Sequence, residues 1–226
     1  MIKIENIETY GWEAAIRGMR NPMNSWDKID SFPCHLRYGG SCNNCEINGQ
    51  CDGTRDFIVG PSDLKLMKSL GNAGDDHGKF LRMITVTMDI TCHHAWWAEF
   101  DTYKISTVRN SCSKMHKIHV KPFEVQDFSH SGIDMVRYAS EEFREVISTC
   151  ERLRQDFNKT KDKAYWRALI ELLPMGYNIK ATVQLNYQVL KHMYHARKNH
   201  KLFEWRLFCA VIESLPYSEL ITGEAN

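Results

Sequence analysis

The sequence predicts an α+β fold in which a mixed or mainly antiparallel sheet is packed by helices. Two stretches, 83–90 and 179–185, alternate apolar and polar residues with the period of a half-buried strand. Two others, 138–157 and 202–215, repeat apolar residues at helical spacing. Because each pattern leaves one apolar face to cover, we expect the helices to pack on the sheet.

Length and composition favour a single domain over 1–226, with a Cys-rich insertion at about 31–60. The chain has 226 residues, of which 43% are hydrophobic, and a net charge of +1. This balance argues against a nucleic-acid or membrane partner. The first residues lack the apolar centre of a signal peptide, and no run reaches the roughly 18 apolar residues of a spanning helix. We therefore expect a cytoplasmic protein whose eight cysteines are thiols or metal ligands.

Local patterns predict the elements of the first half of the chain. The expected order is a strand over 3–9, a helix over 12–19, a helix over 61–71, a central strand over 81–90 and a helix over 93–105. Asn21-Pro22 ends the first helix, and Pro61 begins the second.

The second half continues in the same way. We expect a strand over 114–120, helices over 138–157 and from about 162 to 173, a strand over 179–185, a helix from 186, a helix over 202–215 and a frayed tail over 218–226. The helix from Leu202 and the Trp96-Trp97 pair are candidate subunit interfaces, because aromatic stripes exposed on a surface usually have a partner.

The insertion carries four cysteines with the spacing C-x7-C-x2-C-x5-C. They are Cys34, Cys42, Cys45 and Cys51. Four thiolates suit a tetrahedral zinc ion, and an iron–sulfur cluster uses the same ligands. The alternative is a loop with incidental thiols. A metal would explain how a stretch without hydrophobic periodicity stays folded.

The helix that begins near Asn186 has an unusually polar surface. One face carries Asn186 and Arg197, a neighbouring face carries Gln188 and His192, and His200 follows shortly afterwards. Such crowding is typical of a helix that lines a polar cleft.

This region resembles the flavin-dependent thymidylate synthases, also called thymidylate synthase complementing proteins. The matching motifs are Leu173-Pro174, Asn186-x-Gln188-x-Leu190, Arg197 and His200-x-x-x-Glu204-x-Arg206. The resemblance spans roughly 62–215 and is strongest over 172–206. It implies the thymidylate synthase complementing protein fold and a homotetramer with active sites between subunits. It also implies bound FAD and reductive methylation at C5 of a uracil nucleotide, with NADPH and a folate.

The resemblance also implies residue roles at the flavin. Asn186, His192 and His200 are expected to face it, and Ser25 is the nearest candidate for a contact to its phosphate. For Ser25, the alternative is a position in the loop that follows a helix end.

At the nucleotide, the resemblance implies that Arg197 is a ligand, that Gln188 stands where the family usually has Arg, and that Ser111, the catalytic candidate, lies near the pyrimidine. For Arg197, the alternative is a solvated cation at a helix end.

The chain departs from the family at its Arg-His-Arg signature, where the aligned residues are Asp101, Thr102 and Tyr103. A carboxylate repels phosphate, whereas a guanidinium binds it. Arg109, expected on an exposed loop nearby, is the candidate replacement. The alternative function is therefore a divergent homologue with changed or lost catalysis, which binds a nucleotide or a partner and has a metal clip. A nucleic-acid binder, suggested by basic residues in the insertion, is disfavoured by the balanced charge.

Overall fold

The structure is a computed structural model that describes residues 2–34 and 57–223. Within these ranges the strands are β1 (Lys3–Tyr10), β2 (Phe32–Pro33), β3 (Phe57–Ile58), β4 (Thr85–His93), β5 (Val108–Ser111) and β6 (Asn178–Asn186). The longer helices are α1 (Trp12–Arg20), α2 (Pro61–Asn72), α3 (His94–Phe100), α6 (Arg137–Thr160), α7 (Lys163–Leu172), α8 (Tyr187–Arg197) and α9 (Phe203–Glu213). Three short α-helices, α4 (Lys114–Lys117), α5 (Ser131–Asp134) and α10 (Glu219–Thr222), and four 3-10 turns, among them Gly78–Met83, lie in the same ranges.

Four strands form one antiparallel sheet in the order β1-β4-β6-β5. β4 and β6 pair over their whole lengths, from Thr85 opposite Asn186 to His93 opposite Asn178. Alternate residues of both strands are buried on one face, and their neighbours are polar and more exposed. Helices α1, α3, α8 and α9 add their apolar residues to this buried face. The predicted α+β fold, with an antiparallel sheet packed by helices, is confirmed.

A second, smaller hydrophobic cluster lies beside the main one. Its buried members come from the segment after α4 and from helices α6 and α7, and include Phe128, Phe143 and Leu169. Tyr177 packs against both clusters, just before β6 begins. The long helix α6 therefore packs mainly on this second cluster.

Three local predictions are wrong. Residues 114–120 begin with helix α4, because the Ser113 hydroxyl accepts a hydrogen bond from the backbone N–H of His116 and caps it. Residues 108–111 form edge strand β5, although their side chains are largely polar and solvent-facing. The tail is folded as far as Gly223, since Leu220 and Ile221 of α10 are buried in the main core.

The tryptophan pair predicted at a subunit interface is instead in the core of its own chain. Trp96 and Trp97 are fully buried, and Trp96 packs against Trp205 with ring centroids 4.8 Å apart. On α9, Trp205 and Phe208 face the same core, whereas Phe203 remains exposed. The aromatic stripe is therefore mostly the inner face of α9.

The Cys-rich insertion falls largely outside the described residues. Cys42, Cys45 and Cys51 lie there, while Cys34 is described and buried. In 2–34 and 57–223, no three His, Cys, Asp or Glu side chains are grouped to hold a metal ion. No helix in these ranges is both long and apolar enough to cross a bilayer.

A buried carboxylate fixes the chain on either side of the insertion. Asp63, at the start of α2, accepts hydrogen bonds from Arg20 Nε at 2.7 Å and from the Ser31 hydroxyl at 2.6 Å. The Asp30 carboxylate in turn accepts the backbone N–H groups of Ser62 and Asp63. The insertion therefore leaves and rejoins a well-anchored part of the fold.

Candidate functional site

A cavity of about 520 Å³ opens at the start of α8. Three parts of the fold enclose it: the 3-10 turn Gly78–Met83, the segment between α3 and β5, and the first turns of α8. Its lining residues are Arg82, Thr102, Tyr103, Lys104, Ile105, Ser106, Asn186, Gln188, Val189 and His192. Volume and mixed lining are typical of a small-molecule site. We call it the α8 cavity.

Asn186 joins the sheet to this cavity. It is the last residue of β6 and the N-cap of α8, and its Oδ1 accepts the backbone N–H of Val189 at 2.9 Å. The side chain is buried. Since Oδ1 is used by the cap, Nδ2 is the part of the amide left to donate to a ligand.

A hydrogen-bonded triad forms one wall of the α8 cavity. Gln188 Nε2 lies 2.8 Å from Asp75 Oδ1 and 3.0 Å from His192 Nε2. Asp75 accepts only, so it fixes which end of the amide faces it. Gln188 Oε1 is buried, lies near Gly78 and has no hydrogen-bond partner within the described residues. A neutral His192 accepts at Nε2, which places its own proton on Nδ1.

Two cations line the α8 cavity, and the sequence patterns had not singled them out. Arg82 lies in the last part of the 3-10 turn Gly78–Met83, and Lys104 follows α3. Both are exposed, and neither has a carboxylate within ion-pair distance in the part of the chain described. Lys104 could have been identified from the sequence, because it directly follows the residues aligned with the signature. These side chains can therefore contact an anionic ligand.

Arg197 lies behind the cavity in a cluster centred on Glu99. Its Nη1 donates to Glu99 Oε2 at 2.7 Å, and its Nε donates to the Tyr103 hydroxyl at 3.0 Å. The Trp205 indole N–H also donates to Glu99 Oε2, at 2.9 Å, and His200 Nε2 lies 3.3 Å from it. The cluster thus holds Tyr103, which lines the cavity, against α8 and α9.

The aspartate at the signature position is paired with an arginine. Arg109 Nη1 donates to Asp101 Oδ2 at 2.6 Å, and the guanidinium lies 4.0 Å from the Trp97 ring centroid. Arg109 is on strand β5, so its expected place on an exposed loop is wrong. Its charge is already balanced within the chain.

The comparisons with known proteins give one consistent result, at the level of structure. No protein-family model and no curated protein sequence matches the chain. Two solved structures of thymidylate synthase X from Helicobacter pylori do, each with FAD and dUMP. Their TM-scores are 0.66 and 0.65 at 14% identity, and the match covers 98% of this chain and 98% and 100% of theirs. The chain has the flavin-dependent thymidylate synthase fold.

The residues that the sequence aligns with the Arg-His-Arg signature are divided between two environments. Thr102 and Tyr103 line the α8 cavity, as does Ser106, whereas Asp101 does not. Ser106 has a φ of 60°, in the left-handed region. Most of the segment that the sequence aligns with the signature therefore belongs to the cavity wall.

The candidate residues named from the sequence fall into two sets. Asn186, Gln188 and His192 line the α8 cavity. The others do not. Arg197 and His200 belong to the Glu99 cluster, Arg109 pairs with Asp101, Ser111 ends β5 opposite Ala181, and Ser25 lies in the turns after α1, near Arg20.

A basic pair joins the start of α3 to the segment that follows β5. Lys114 Nζ is 2.6 Å from His94 Nε2, at the start of α3. Burial, with the charge of Lys114 next in importance, lowers the pKa of His94 to about 4. His94 is therefore neutral at pH 7 and accepts a hydrogen bond from Lys114.

Proposed function

We propose that this protein binds FAD and a uracil nucleotide at the α8 cavity and catalyses flavin-dependent reductive methylation at C5 of the nucleotide. The observation that carries the proposal is the cavity itself. It is built from the α8 residues that the resemblance assigns to the flavin and from the segment that the family uses for the nucleotide. Support also comes from the two neighbours of the same fold, whose structures contain FAD and dUMP.

The described residues suit these ligands. Asn186 Nδ2 and His192 Nδ1 offer hydrogen-bond donors to a flavin ring. Tyr103, Ile105 and Val189 contribute apolar groups to the cavity lining. Within the described residues, Asn186 Nδ2 donates no hydrogen bond, since the cap uses Oδ1.

In this proposal, the nucleotide phosphate is bound by residues other than those aligned with the Arg-His-Arg signature. Arg82 and Lys104 bind the phosphate of the uracil nucleotide, because their charges are free of carboxylate partners. Asp101, which would repel that phosphate, is neutralised by Arg109.

When bound, FAD would carry reducing equivalents from NADPH to the nucleotide carbon, and a folate would supply the carbon atom. The chain itself positions the ring and the nucleotide. Ser111 is also proposed to lie near the pyrimidine, and Ser25 and His200 toward the flavin. Arg197 and Arg109, expected at the nucleotide from the resemblance, would reach it only by giving up their pairing with Glu99 and Asp101. These five residues lie outside the α8 cavity of a single chain, which favours a homotetramer with sites completed between subunits.

The first test is binding and turnover by the purified protein. We expect FAD fluorescence to be quenched on titration and the midpoint of thermal unfolding to rise with FAD or dUMP. Tritium release from dUMP labelled at C5, with NADPH and methylenetetrahydrofolate, measures the reaction. Absence of FAD binding would refute the proposal.

The second test addresses the moved phosphate site. We expect the double variant Arg82→Ala/Lys104→Ala to weaken dUMP binding by about 10-fold or more, since two charge-assisted hydrogen bonds are lost. Lys65→Ala/Lys201→Ala is the matched control, because it removes the same charge from exposed residues outside the cavity. An equal loss of dUMP affinity in both double variants would show that Arg82 and Lys104 do not bind the phosphate.

A second candidate function is favoured by the Asp101–Arg109 pair. In this candidate the chain keeps the fold and binds a nucleotide or a partner, but has changed or lost the methylation. Ligand binding without tritium release, at any folate or NADPH concentration, would favour it over the first.

We also propose that Cys34, Cys42, Cys45 and Cys51 hold a structural zinc ion or an iron–sulfur cluster. The support is their spacing and the burial of Cys34, the member that the structure describes. About one zinc per chain in a colourless, flavin-free preparation is the expected result, and a brown protein would indicate iron–sulfur. A preparation with neither metal would refute the proposal.

Assembly and location complete the proposal. A homotetramer is expected from the resemblance and is measured by light scattering coupled to size-exclusion chromatography. A cytoplasmic location follows from the sequence argument for reduced thiols.

A further inference from the structure

A second cavity, of about 390 Å³, adjoins the α8 cavity. It lies between the end of α2 and the middle of α8, and Gly71, Asp75, Lys191 and His195 contribute to its walls. His192 lines both cavities and is half-exposed. A ligand longer than the first cavity can therefore extend into the second across this imidazole.

Lys191 gives the second cavity a buried cation. The residue is 8% exposed, and its Nζ donates to the backbone carbonyl of Gly71 at 2.7 Å. An ammonium group has three N–H donors, so two remain. In 2–34 and 57–223 no carboxylate lies within 4 Å of Nζ. Asp75, the acidic residue of this cavity, is committed to Gln188 Nε2 at 2.8 Å.

This arrangement is costly for a charged lysine. A buried ammonium without a counter-ion loses hydration that one carbonyl does not replace. Burial correspondingly lowers the pKa of Lys191, against a smaller opposing effect of Asp75. The carbonyl at the end of α2 stabilises the cation in part. An anion that entered the cavity would supply the missing charge and accept the two remaining N–H groups.

His195, which lines the second cavity together with Lys191 and the shared His192, does not compete for that anion. His195 Nε2 lies 3.2 Å from the backbone carbonyl of Ile221. A neutral imidazole that donates there has an unprotonated Nδ1, which repels an anion. Burial also lowers the pKa of His195, which favours the neutral form. Lys191 is thus the cation that an anionic group would meet.

We infer that Lys191 is a phosphate-binding residue that holds the phosphate portion of an elongated dinucleotide cofactor whose ring occupies the α8 cavity. The inference rests on the proposed function and extends it, since it assigns the second cavity and a residue outside the family motifs found in the sequence. The observations that carry it are the shared wall at His192 and a buried ammonium with two free donors.

The test compares flavins with and without phosphate. We expect Lys191→Met to weaken FAD binding by about 10-fold or more, as for a lost charge-assisted hydrogen bond, and to leave riboflavin affinity within about twofold. Lys198→Met is the matched control, because Lys198 is an exposed lysine on the same helix surface that lines neither cavity. An unchanged ratio of FAD to riboflavin affinity in Lys191→Met would overturn the inference.

Two further measurements distinguish a loss of folding from a loss of the anion site, and test whether that site binds an anion without a flavin. Lys191→Arg keeps the charge, so it should retain most of the discrimination between FAD and riboflavin even if Lys191→Met unfolds at lower temperature. Pyrophosphate alone, followed by thermal shift, tests the anion site without a flavin. If pyrophosphate stabilises the wild type but not Lys191→Met while no flavin binds, the role of Lys191 is supported and the proposed function fails. If FAD binds wild type and Lys191→Met equally, the proposed function stands and the inference fails.

Discussion

Single side chains decide whether the charges of this chain are available to ligands. Arg109 and Arg197 both lie near the signature segment, yet each is paired with a carboxylate, Asp101 and Glu99 respectively, at 2.6 and 2.7 Å. Arg82 and Lys104 have no such partner in the described part of the chain. The availability of a cation therefore depends on its neighbours in space, and the residue type alone does not give it.

The buried pair of Arg20 and Asp63 gives a stability prediction at this scale. Both side chains are almost inaccessible, and Asp63 also accepts from Ser31. We expect Asp63→Ala to lower the free energy of unfolding by about 3–5 kcal/mol, because Arg20 is then a buried charge without a partner. Urea unfolding measures the change.

The control for that prediction is Glu13→Ala. Glu13 pairs with Arg17 on the exposed face of α1, and removing such a pair costs about 0.5 kcal/mol or less. A loss below about 1 kcal/mol in Asp63→Ala would contradict the structural role assigned to the pair.

His94 gives a pH prediction. Its pKa is about 4 in the folded chain, against an ordinary value of 6.5. Above pH 6.5 the imidazole is neutral in both states. Between about pH 6.5 and 4 the unfolded chain takes up a proton that the folded chain does not, so stability falls as the pH falls through this window.

His94→Gln tests this without removing an acceptor for Lys114, which lies 2.6 Å from Nε2. We expect the stability of the variant to fall less than that of the wild type between pH 7 and pH 4.5. Urea unfolding at several pH values gives both slopes, and parallel curves would mean that His94 titrates normally in the folded chain.

At the scale of elements, β6 and α8 form the unit on which the α8 cavity depends. The strand pairs with β4 along its whole length, and the helix begins directly at its end, capped by Asn186. Leu190 and Met193 anchor α8 in the core, and Gln188 and His192 face the cavity. A rigid strand–helix junction thus positions the polar groups.

Substitutions at Asn186 separate its two functions. Asn186→Ala is expected to cost about 1 kcal/mol by loss of the cap and also to weaken FAD binding. Asn186→Ser retains a capping hydroxyl but no amide N–H, so it should stay close to wild-type stability while FAD binding falls. Thermal unfolding and flavin titration of both variants provide the measurement. If Asn186→Ser bound FAD like the wild type, the Nδ2 donor would have no part in the site.

At the scale of the whole molecule, two hydrophobic clusters meet around Tyr177. Phe128 forms a β-bridge with Tyr177, and the Ser129 hydroxyl donates to Asn178 Oδ1 at 2.8 Å. Because Tyr177 packs against both clusters, the fold of α6 and α7 is coupled to that of the sheet. This coupling favours the proposal of one domain.

We therefore expect one cooperative unfolding transition. Far-UV circular dichroism and tryptophan fluorescence should give coincident curves in guanidinium chloride. Phe128→Ala, which removes a buried ring at the junction, should move both curves to lower denaturant by the same amount, with a loss of about 3–5 kcal/mol. Separate midpoints for the two probes would instead indicate two independently folding parts.

The sequence by itself determined the elements with strong local patterns. The alternation in β4 and β6 and the helical spacing in α1, α6 and α9 require one buried face each, so they predict the α+β fold without knowledge of its contacts. Asn186, Gln188 and His192 were found because they are close together on one short helix.

Only the tertiary structure shows which residues that are distant in the sequence pair or pack together. β5 has little apolar periodicity and pairs only because β6 offers it an edge. Trp96 and Trp97 are equally aromatic in a core or at an interface. Only packing places them inside, Trp96 against Trp205 and Phe208 and Trp97 against Trp96 and Phe100. Arg82 and Lys104 come to the α8 cavity from other parts of the fold. Lys191 lies on α8 itself, but no sequence pattern distinguishes it from other lysines. Whether such a charge is paired or free depends on three-dimensional neighbours, which no local spacing specifies.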